Sequence, residues 1–390
     1  MRLLLIIYEY PPVGGGAGKS ARGLARALTR MGHEATILTS RFEGLPAEEV
    51  VAGVRVLRIP VLRRHLNYAA PWEVFSFAVA GMMRIGWLKW KVRPQVVLSY
   101  FTIPGGPIAW LYRWRNGVPF VSLLRGQDVP GYPDTPRWLG WLMAPAARFI
   151  WRRSLFVTAN SESLAELARR TMPGLEIPVV ANAVDVERYQ PAPGERGGPP
   201  LRILYLGRLR EFKGIQDLIA GFARLRESFS GPSELTIAGF GPHRVNLELL
   251  TSRLGLKDCV RFTGRLEEPE AVAHLQRAEI VVNPSYGEGM PNAVLEAMAC
   301  GAALILSDIP AHRELAREGE EALFCAPRDA ASLAAALQRL AEDPDLRRRL
   351  GERARERMVR DFSYEKRAEQ LLALIAARTG GEPLPDERGG

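Results

Sequence analysis

Two carboxylates in the segment NPSYGEGMPNAVLEAMACG, residues 283–301, have a spacing that could do chemistry. An apolar strand leads into a glycine-rich turn that contains Glu288, and a helix follows from about Pro291. Glu288 would therefore project from a turn into a cleft. Glu296, about one and a half turns inside the helix, is held rigidly and suits hydrogen bonds from paired hydroxyls such as those of a ribose.

The start of this helix could also bind a ligand through its backbone. The N–H groups of Gly289, Met290 and Asn292 lie at or before the first helical turn, where they have no partner within the helix. Such groups bind hydroxyls or a phosphate. A glutamate near a helix start can also simply stabilise the helix dipole, so this segment does not by itself identify an enzyme.

A second segment, LGRLREFKGIQDLI at 206–219, contributes two cations. A strand ends at Gly207, and Arg208 and Lys213 bracket a short loop before the next helix. Two cations beside a helix N-terminus could bind a diphosphate, although they could also be ordinary exposed residues. Their place after the first strand of a β/α domain favours a ligand site.

The glycine loop PPVGGGAGKSA, residues 11–21, invites two familiar interpretations, and both fail. A P-loop requires a glycine where Val13 stands. A dinucleotide site requires an acidic residue at the end of the second strand, which here ends at residues 39–41 with Thr, Ser and Arg. The remaining interpretations are a plain tight turn and a phosphate contact through the backbone of Gly15 and Gly16.

The order of the elements predicts an α/β fold with two Rossmann-like domains. Apolar strands alternate with helical patterns from RLLLIIY onward, and the same rhythm restarts at LRILYLG after the proline- and glycine-rich stretch PAPGERGGPP. We therefore predict a first domain over residues 1–190, a linker over 191–200 and a second domain over 201–360. A final amphipathic helix is expected at about 361–380.

Composition limits the classes of partner. Residues 1–190 contain 24 Lys and Arg against 13 Asp and Glu, and residues 191–390 contain 28 against 30. The basic first half indicates an anionic partner or a solvated arginine-rich surface. Three dispersed cysteines favour a reducing compartment over a disulfide framework or a zinc site. No apolar segment is long enough to predict a membrane span.

Together these segments resemble the retaining glycosyltransferases of the GT-B fold, called group 1 or family 4. The shared motifs run nearly end to end: PPVGGG, NAVD where the family usually has N-G-V-D, GRL…KG, IAGFGP, VRFTG and E-G-M-P-x-x-x-x-E. The resemblance implies two Rossmann-like domains facing across a cleft, with the C-terminal helix crossing back to the first. It also implies hexosyl transfer from a UDP- or GDP-sugar with retained configuration, without a metal or another cofactor.

The resemblance assigns roles to the motif residues in this sequence. Glu288, Arg208 and Lys213 would be catalytic, the two cations holding the diphosphate and Glu288 contacting the donor sugar. Glu296 would bind the ribose hydroxyls. The remaining donor-binding positions would contact the phosphates, the base or the sugar mainly through their backbone: Gly15, Gly16, Arg265, Leu266, Gly289, Met290 and Asn292.

One position departs from the family pattern. Many members have an active-site histidine where this chain has Arg125, followed by Asp128 in the loop RGQDVPGY. We expect this loop on the acceptor side, with Arg125 and Asp128 pointing into the cleft, the alternative being a structural Arg–Asp pair. A catalytic histidine is not identified.

The acceptor is predicted only as a class. The aromatic and basic stretch at residues 65–94 suits a membrane interface and a lipid-linked acceptor, or a helix buried against the sheet. We expect a cytoplasmic enzyme of polysaccharide biosynthesis, peripheral at the inner face of a membrane, with a glycan or lipid-linked acceptor and no nucleic acid. The alternatives are a sugar-nucleotide epimerase of the same fold and a non-catalytic sugar- or nucleic-acid-binding module.

Overall fold

Apolar runs without polar alternation form strands that are buried on both faces. In the first strand, Leu3, Leu4, Leu5 and Ile6 are all fully buried, as expected for a parallel sheet covered by helices on both sides. The computed structural model describes residues 1–66, 69–132, 136–192, 194 and 196–380. It divides into unit 1, residues 1–183 with the chain from 364 onward, and unit 2, residues 184–363.

Unit 1 contains a seven-stranded sheet in the order β3-β4-β2-β1-β5-β6-β7, parallel except for the β3–β4 pair. Its strands are β1 Arg2–Ile6, β2 Glu34–Ser40, β3 Glu48–Val51, β4 Val54–Ile59, β5 Val96–Tyr100, β6 Phe120–Leu123 and β7 Val157–Thr158. Its helices are α1 Gly16–Arg30, α2 Pro71–Met82, α3 Ile85–Val92, α4 Gly106–Asn116, α5 Arg137–Trp151, α6 Glu162–Thr171 and, from the end of the chain, α14 Tyr364–Arg378.

The helices of unit 1 form one layer on each face of the sheet. On one face, α1 and α14 pack against the side chains of Leu3, Leu5 and Ile7. On the other, helices α2 to α6 pack against Leu4 and Ile6. The alternation of side chains along β1 thus divides the core into two layers.

Unit 2 contains a six-stranded parallel sheet in the order β10-β9-β8-β11-β12-β13. Its strands are β8 Leu201–Leu206, β9 Ser233–Ala238, β10 Val260–Gly264, β11 Ile280–Asn283, β12 Ala303–Ser307 and β13 Leu323–Cys325. Its helices are α7 Ile215–Ser228, α8 Arg244–Arg253, α9 Glu268–Arg277, α10 Asn292–Ala299, α11 Pro310–Arg313, α12 Ala330–Glu342 and α13 Pro344–Asp361.

The domain boundary differs from the prediction. The division lies between Ala183 and Val184, so the described part of the stretch 191–200 belongs to unit 2 and does not link the units. Arg196 explains why, since its guanidinium donates to the carbonyls of Gly301, Leu275 and Cys300 at 2.5, 2.8 and 3.1 Å. Proline and glycine mark a surface loop here rather than an interdomain linker.

Two other features of unit 1 differ from the expectation. The alternating pattern of strands and helices does not predict the antiparallel pair of β3 and β4, and the apolar segment at 177–182, which the same pattern predicts as a strand, forms only a single bridge, between Ala159 and Val179. The final helix, α14, lies within the predicted range and belongs to unit 1. Among the described residues, no helix is long and apolar enough to cross a membrane.

Candidate functional site

The sheet of unit 2 reverses its order beside β8. The chain runs outward from β8 through β9 to β10, and then returns to the other side of β8 as β11. In open parallel sheets, ligands bind at the carboxyl ends of the strands where the order reverses, because the two loops there lead away from each other and leave a crevice. The loops at 207–214 and 284–291, which contain the two sequence motifs, flank this crevice.

The crevice brings a predicted cation and a predicted carboxylate into contact. Lys213 Nζ donates to Glu288 Oε1, and the two side chains are only 16% and 8% exposed. Ser285 Oγ lies 2.8 Å from the same Glu288 oxygen and 2.8 Å from Asn283 Oδ1. Glu288 is thus held by a cation and within hydrogen-bond reach of a hydroxyl, which fixes its rotamer.

The two loops also contact each other through their backbones. Tyr286 N donates to the Phe212 carbonyl at 2.8 Å. Gly214 has a φ of +68°, and a β-carbon there would lie 2.1 Å from the Pro284 carbonyl oxygen. Glycine at position 214 is therefore required twice, by the left-handed backbone and by the close approach. The Tyr286 hydroxyl donates to Asp217 Oδ2 at 2.6 Å and links the second loop to the start of α7.

A polar network supports Glu288 from behind. Ser307 Oγ donates to the Ser285 carbonyl, and His312 Nδ1 donates to the Ser307 carbonyl at 2.8 Å. His312 is fully buried, and its Nε2 has no hydrogen-bond partner among the described residues. Burial lowers the pKa of His312, so its imidazole is neutral at neutral pH. This network therefore positions Glu288 through uncharged groups.

Glu296 lies on the inner side of α10 and is buried. Tyr189, which the sequence analysis did not identify, is its neighbour. Burial raises the pKa of the Tyr189 phenol, and the carboxylates of Glu296 and Glu268 raise it further, in part through a hydrogen bond with Glu296. Tyr189 is thus a neutral group beside the carboxylate that we expect to bind ribose.

The mouth of the crevice contains Arg208, whose side chain is exposed at the end of β8. The IAGFGP motif explains how this loop is held. A β-carbon at Gly239 or Gly241 would lie 1.7 or 2.2 Å from the carbonyl oxygen of Gly207 or Leu209, respectively. These glycines therefore let the end of β9 pack directly against the backbone around Arg208.

The remaining donor-binding positions of unit 2 lie at two strand ends. Gly289, Met290 and Asn292 are in the loop after β11 and the start of α10, beside Glu288. Arg265 and Leu266 follow β10, which lies two strands from β8 and so about 10 Å across the sheet. Their predicted contact with a base stays a prediction.

The glycine loop lies in unit 1. Gly15 is the N-cap of α1 and Gly16 its first residue, and the first turn contains no acidic residue. As a glycine, the N-cap residue has no side chain that could cap the helix. Its predicted contact with the phosphates of a donor stays a prediction.

The loop at 125–128 differs from the expectation. The Asp128 carboxylate is buried and accepts hydrogen bonds from the backbone N–H groups of Arg125, Gly126 and Thr102 at 2.8 to 3.0 Å. Burial raises the pKa of Asp128, while these N–H groups lower it. The Arg125 guanidinium donates to Asn182 at 2.7 Å and lies 4.6 Å from the centre of the Tyr100 ring. Asp128 therefore holds the loop in shape and does not pair with the Arg125 guanidinium, while the acceptor-side role of this loop stays a prediction.

Comparison with known proteins decides the family. The model of the glycosyl transferases group 1 matches residues 186–357, and that of the glycosyl transferase 4-like domain matches residues 15–183. This chain is a group 1 glycosyltransferase. It transfers a sugar from a nucleotide sugar.

Two relatives match this glycosyltransferase over nearly all of both chains. The glycogen synthase of Mycobacterium tuberculosis is 31% identical, over 100% of this chain and 97% of the relative. The N-acetyl-alpha-D-glucosaminyl L-malate synthase of Bacillus anthracis is 26% identical, over 96% of this chain and 97% of the relative. The two relatives have different names within one family, so the comparison identifies the family and no single acceptor.

Solved structures confirm the predicted GT-B fold. The sucrose-phosphate synthase of Thermosynechococcus elongatus superposes with a TM-score of 0.84 at 22% identity, over 97% of this chain and 99% of that one. Anabaena HepE, solved in complex with UDP and glucose, superposes with a TM-score of 0.76 at 16% identity, over 97% of this chain and 100% of that one.

Several residues of the site are not predicted by any sequence pattern. Ser285 and Tyr286 lie in the same segment as Glu288, just before the glycine-rich turn. This position in the sequence is the only feature that could have predicted their place in the site. Tyr189 and His312 reach the site region from remote segments, and nothing in the local sequence marks them.

Proposed function

We propose that this glycosyltransferase binds a nucleoside diphosphate sugar in the crevice of unit 2 and transfers the sugar with retained configuration to a hydroxyl. The observation that carries this proposal is the Lys213–Glu288 contact at the reversal point of the sheet, with Arg208 at the mouth of the same crevice. The solved complex of HepE with UDP supports the same class of donor.

The chemistry follows from the charges of these residues. Cleavage of the sugar–phosphate bond leaves negative charge on the diphosphate and develops positive charge at the anomeric carbon. Arg208, Lys213 and the N-terminus of α10 stabilise the diphosphate through charge and backbone N–H groups, so the proposed reaction needs no metal ion. Glu288 orients the hydroxyls of the sugar and stabilises the cationic carbon.

Retention follows if the acceptor attacks from the side that the diphosphate leaves. The leaving phosphate oxygen would then take the proton of the acceptor hydroxyl, so that one bond forms as the other breaks and no enzyme nucleophile is required. We propose a glycan or a lipid-linked glycan as the acceptor, because unit 1 combines a basic charge with exposed aromatic side chains.

Nucleotide binding tests the donor site directly. We expect UDP or GDP to raise the melting temperature of the wild type, because a ligand at 100 times its Kd adds about 2.7 kcal/mol of stability. Arg208→Ala should abolish the shift, while Arg224→Ala, which removes an exposed arginine of α7, should retain it. Stabilisation by ATP or NAD alone, or an unchanged shift in Arg208→Ala, would contradict the proposed site.

Hydrolysis of the donor tests retention without knowledge of the acceptor. Incubation with an α-linked UDP-sugar should first release the α anomer, which proton NMR distinguishes from the β anomer before mutarotation. Early release of the β anomer would show inversion. The same reaction with EDTA should proceed at an unchanged rate, and a lost rate restored by Mg²⁺ would contradict metal independence.

A further inference from the structure

The tryptophans of this chain are concentrated in one region of unit 1. All eight lie between residues 72 and 151, on helices α2 to α5. Trp141 is 81% exposed, Trp90 73% and Trp114 72%. Tryptophan is on average a highly buried residue, so this degree of exposure calls for an explanation.

Helix α5 is apolar on two opposite faces. Its inner face packs Ala147, Ile150 and Trp151 into the core. Its outer face presents exposed apolar side chains at the spacing of one helical stripe; these are Trp138, Trp141, Leu142 and Phe149. A surface helix in water normally presents polar residues there, so this stripe predicts contact with an apolar phase.

The neighbouring helices add further exposed aromatic side chains on the same side of the sheet. Helices α2 to α5 pack on the same side of the sheet, and α4 contacts α2, α3 and α5. Exposed aromatic and apolar side chains from these four helices and from the turn between α2 and α3 define what we call the tryptophan face: Trp72, Phe75, Met83, Trp87, Trp90, Trp114, Trp138, Trp141, Leu142 and Phe149.

The charge around the tryptophan face has one sign. Residues 60–153 contain thirteen Lys and Arg against three Asp and Glu, a net charge of +10. Glu73 and Asp128 are buried, and their carboxylates accept hydrogen bonds from backbone N–H groups. The third acid, Asp134, lies outside the described residues. The described part of this region therefore has no exposed carboxylate.

Cations and rings are interleaved on this face. The Arg153 guanidinium carbon lies 3.7 Å from the centre of the Phe149 ring, and that of Arg64 lies 5.4 Å from the Trp72 ring. Tryptophan is enriched at the level of lipid headgroups, where its ring is partly buried and its N–H stays hydrated. Arginine and lysine beside it would meet the phosphates of anionic lipids.

We propose that the tryptophan face binds the surface of a membrane that contains anionic lipids, with its rings in the interfacial layer and its cations among the headgroups. The proposal deepens the proposed function, because a lipid-linked acceptor would be presented at that surface. A second copy of the chain fits this face poorly, since two surfaces of the same positive sign would repel each other. A neutral soluble glycan could stack on the tryptophan rings, but it would leave the cations around them without a counter-charge, which anionic headgroups supply.

The test measures binding of the full-length enzyme to vesicles. Phosphatidylcholine vesicles with about 30% phosphatidylglycerol should float the wild type and blue-shift its tryptophan emission, and vesicles without phosphatidylglycerol should do so at least about tenfold more weakly. Trp138→Ser with Trp141→Ser should weaken binding at least about tenfold. The matched control is Val245→Ser with Leu249→Ser, two exposed apolar residues of α8 in unit 2, and it should bind like the wild type.

A charge variant provides a second arm. Arg115→Gln with Arg152→Gln should weaken binding to anionic vesicles about tenfold or more, since each cation near an anionic surface contributes about fivefold. Arg224→Gln with Arg253→Gln, two exposed arginines of unit 2, should leave binding unchanged.

Three outcomes would overturn the proposal. These are a wild type that does not bind anionic vesicles, an equal loss in the unit 2 controls, and a tryptophan variant that changes oligomeric state in sedimentation but not vesicle binding. The stabilising effect of UDP, measured on the same variants, should be unchanged. A wild type that fails to bind anionic vesicles but is still stabilised by UDP would refute the membrane surface and leave the donor site standing.

Discussion

At the scale of single residues, the candidate site depends on how Glu288 is held. Its carboxylate contacts Lys213 and lies within hydrogen-bond reach of Ser285. A largely buried ion pair adds little net stability, because desolvation offsets the attraction between its charges. The Lys213–Glu288 pair is therefore better explained by a positioning role than by stability, because it keeps the carboxylate at a defined position in the crevice.

Substitution of these residues should separate catalysis from donor binding. Glu288→Gln should lower kcat about 100-fold or more, because the neutral amide cannot stabilise a cationic carbon. Ser285→Ala should lower kcat about five- to tenfold, the effect of one hydrogen bond. Both variants should retain the affinity of the wild type for UDP, measured by calorimetry.

Ser233→Ala is the matched control for this prediction. Ser233 is a buried serine at the start of β9 in the same unit, and its hydroxyl has no partner among the described residues. It should leave kcat unchanged. Equal losses of kcat in Ser233→Ala and Ser285→Ala would show a general effect on folding and refute the positioning role of Ser285.

At the scale of elements, the site depends on backbones that approach each other closely. The loop after β8 can reach the loop after β11 only because Gly214 lacks a β-carbon. The end of β9 reaches the end of β8 for the same reason, at Gly239 and Gly241. The glycines of these motifs therefore allow the close backbone contacts that shape the crevice.

Two glycines with nearly the same φ make this testable. Gly214 and Gly255 have φ values of +68° and +67°, but a β-carbon at Gly255 would meet nothing within 4 Å. Gly255→Ala should cost about 1 kcal/mol, the strain of a left-handed backbone. Gly214→Ala should cost at least about 2 kcal/mol more, because the Pro284 backbone must also shift.

Urea unfolding measures this difference, and UDP affinity should fall only in Gly214→Ala. Equal free energies of unfolding for the two variants would show that the close approach at Pro284 is unimportant.

At the scale of the whole molecule, the order of the chain does not match the order of the units. Unit 1 combines residues 1–183 with residues 364–380, and α14 contributes Ala368, Leu371 and Ile375 to its core. Unit 2 has a separate core that includes Leu337 of α12. A substitution that leaves a cavity in one core should therefore destabilise that unit and leave the stability of the other unchanged.

Calorimetry should resolve this division. Leu371→Ala should destabilise unit 1 by about 2–5 kcal/mol, the cost of a cavity in a core, although residue 371 lies beyond the whole of unit 2 in the sequence. Leu337→Ala should destabilise unit 2 instead. UDP should raise only the transition that Leu337→Ala lowers. Loss of the UDP-sensitive transition in Leu371→Ala would contradict the assignment of α14 to unit 1.

The sequence alone was sufficient for the fold class, the family and the two site motifs. Strands that are apolar on both faces, glycine-rich turns and charged residues after strand ends are local patterns, and local physics is enough to interpret them. The sequence also placed Arg208, Lys213 and Glu288 in loops at strand ends, where the structure has them.

Only the tertiary structure decided how residues distant in sequence meet. It placed Lys213 against Glu288, directed Asp128 to backbone N–H groups, and assigned the predicted linker to unit 2. It also showed that the outer stripe of α5 is exposed, where periodicity alone could not distinguish it from a buried face. The reason is physical: burial, partner and exposure depend on strand order and helix packing, which short-range sequence patterns do not encode.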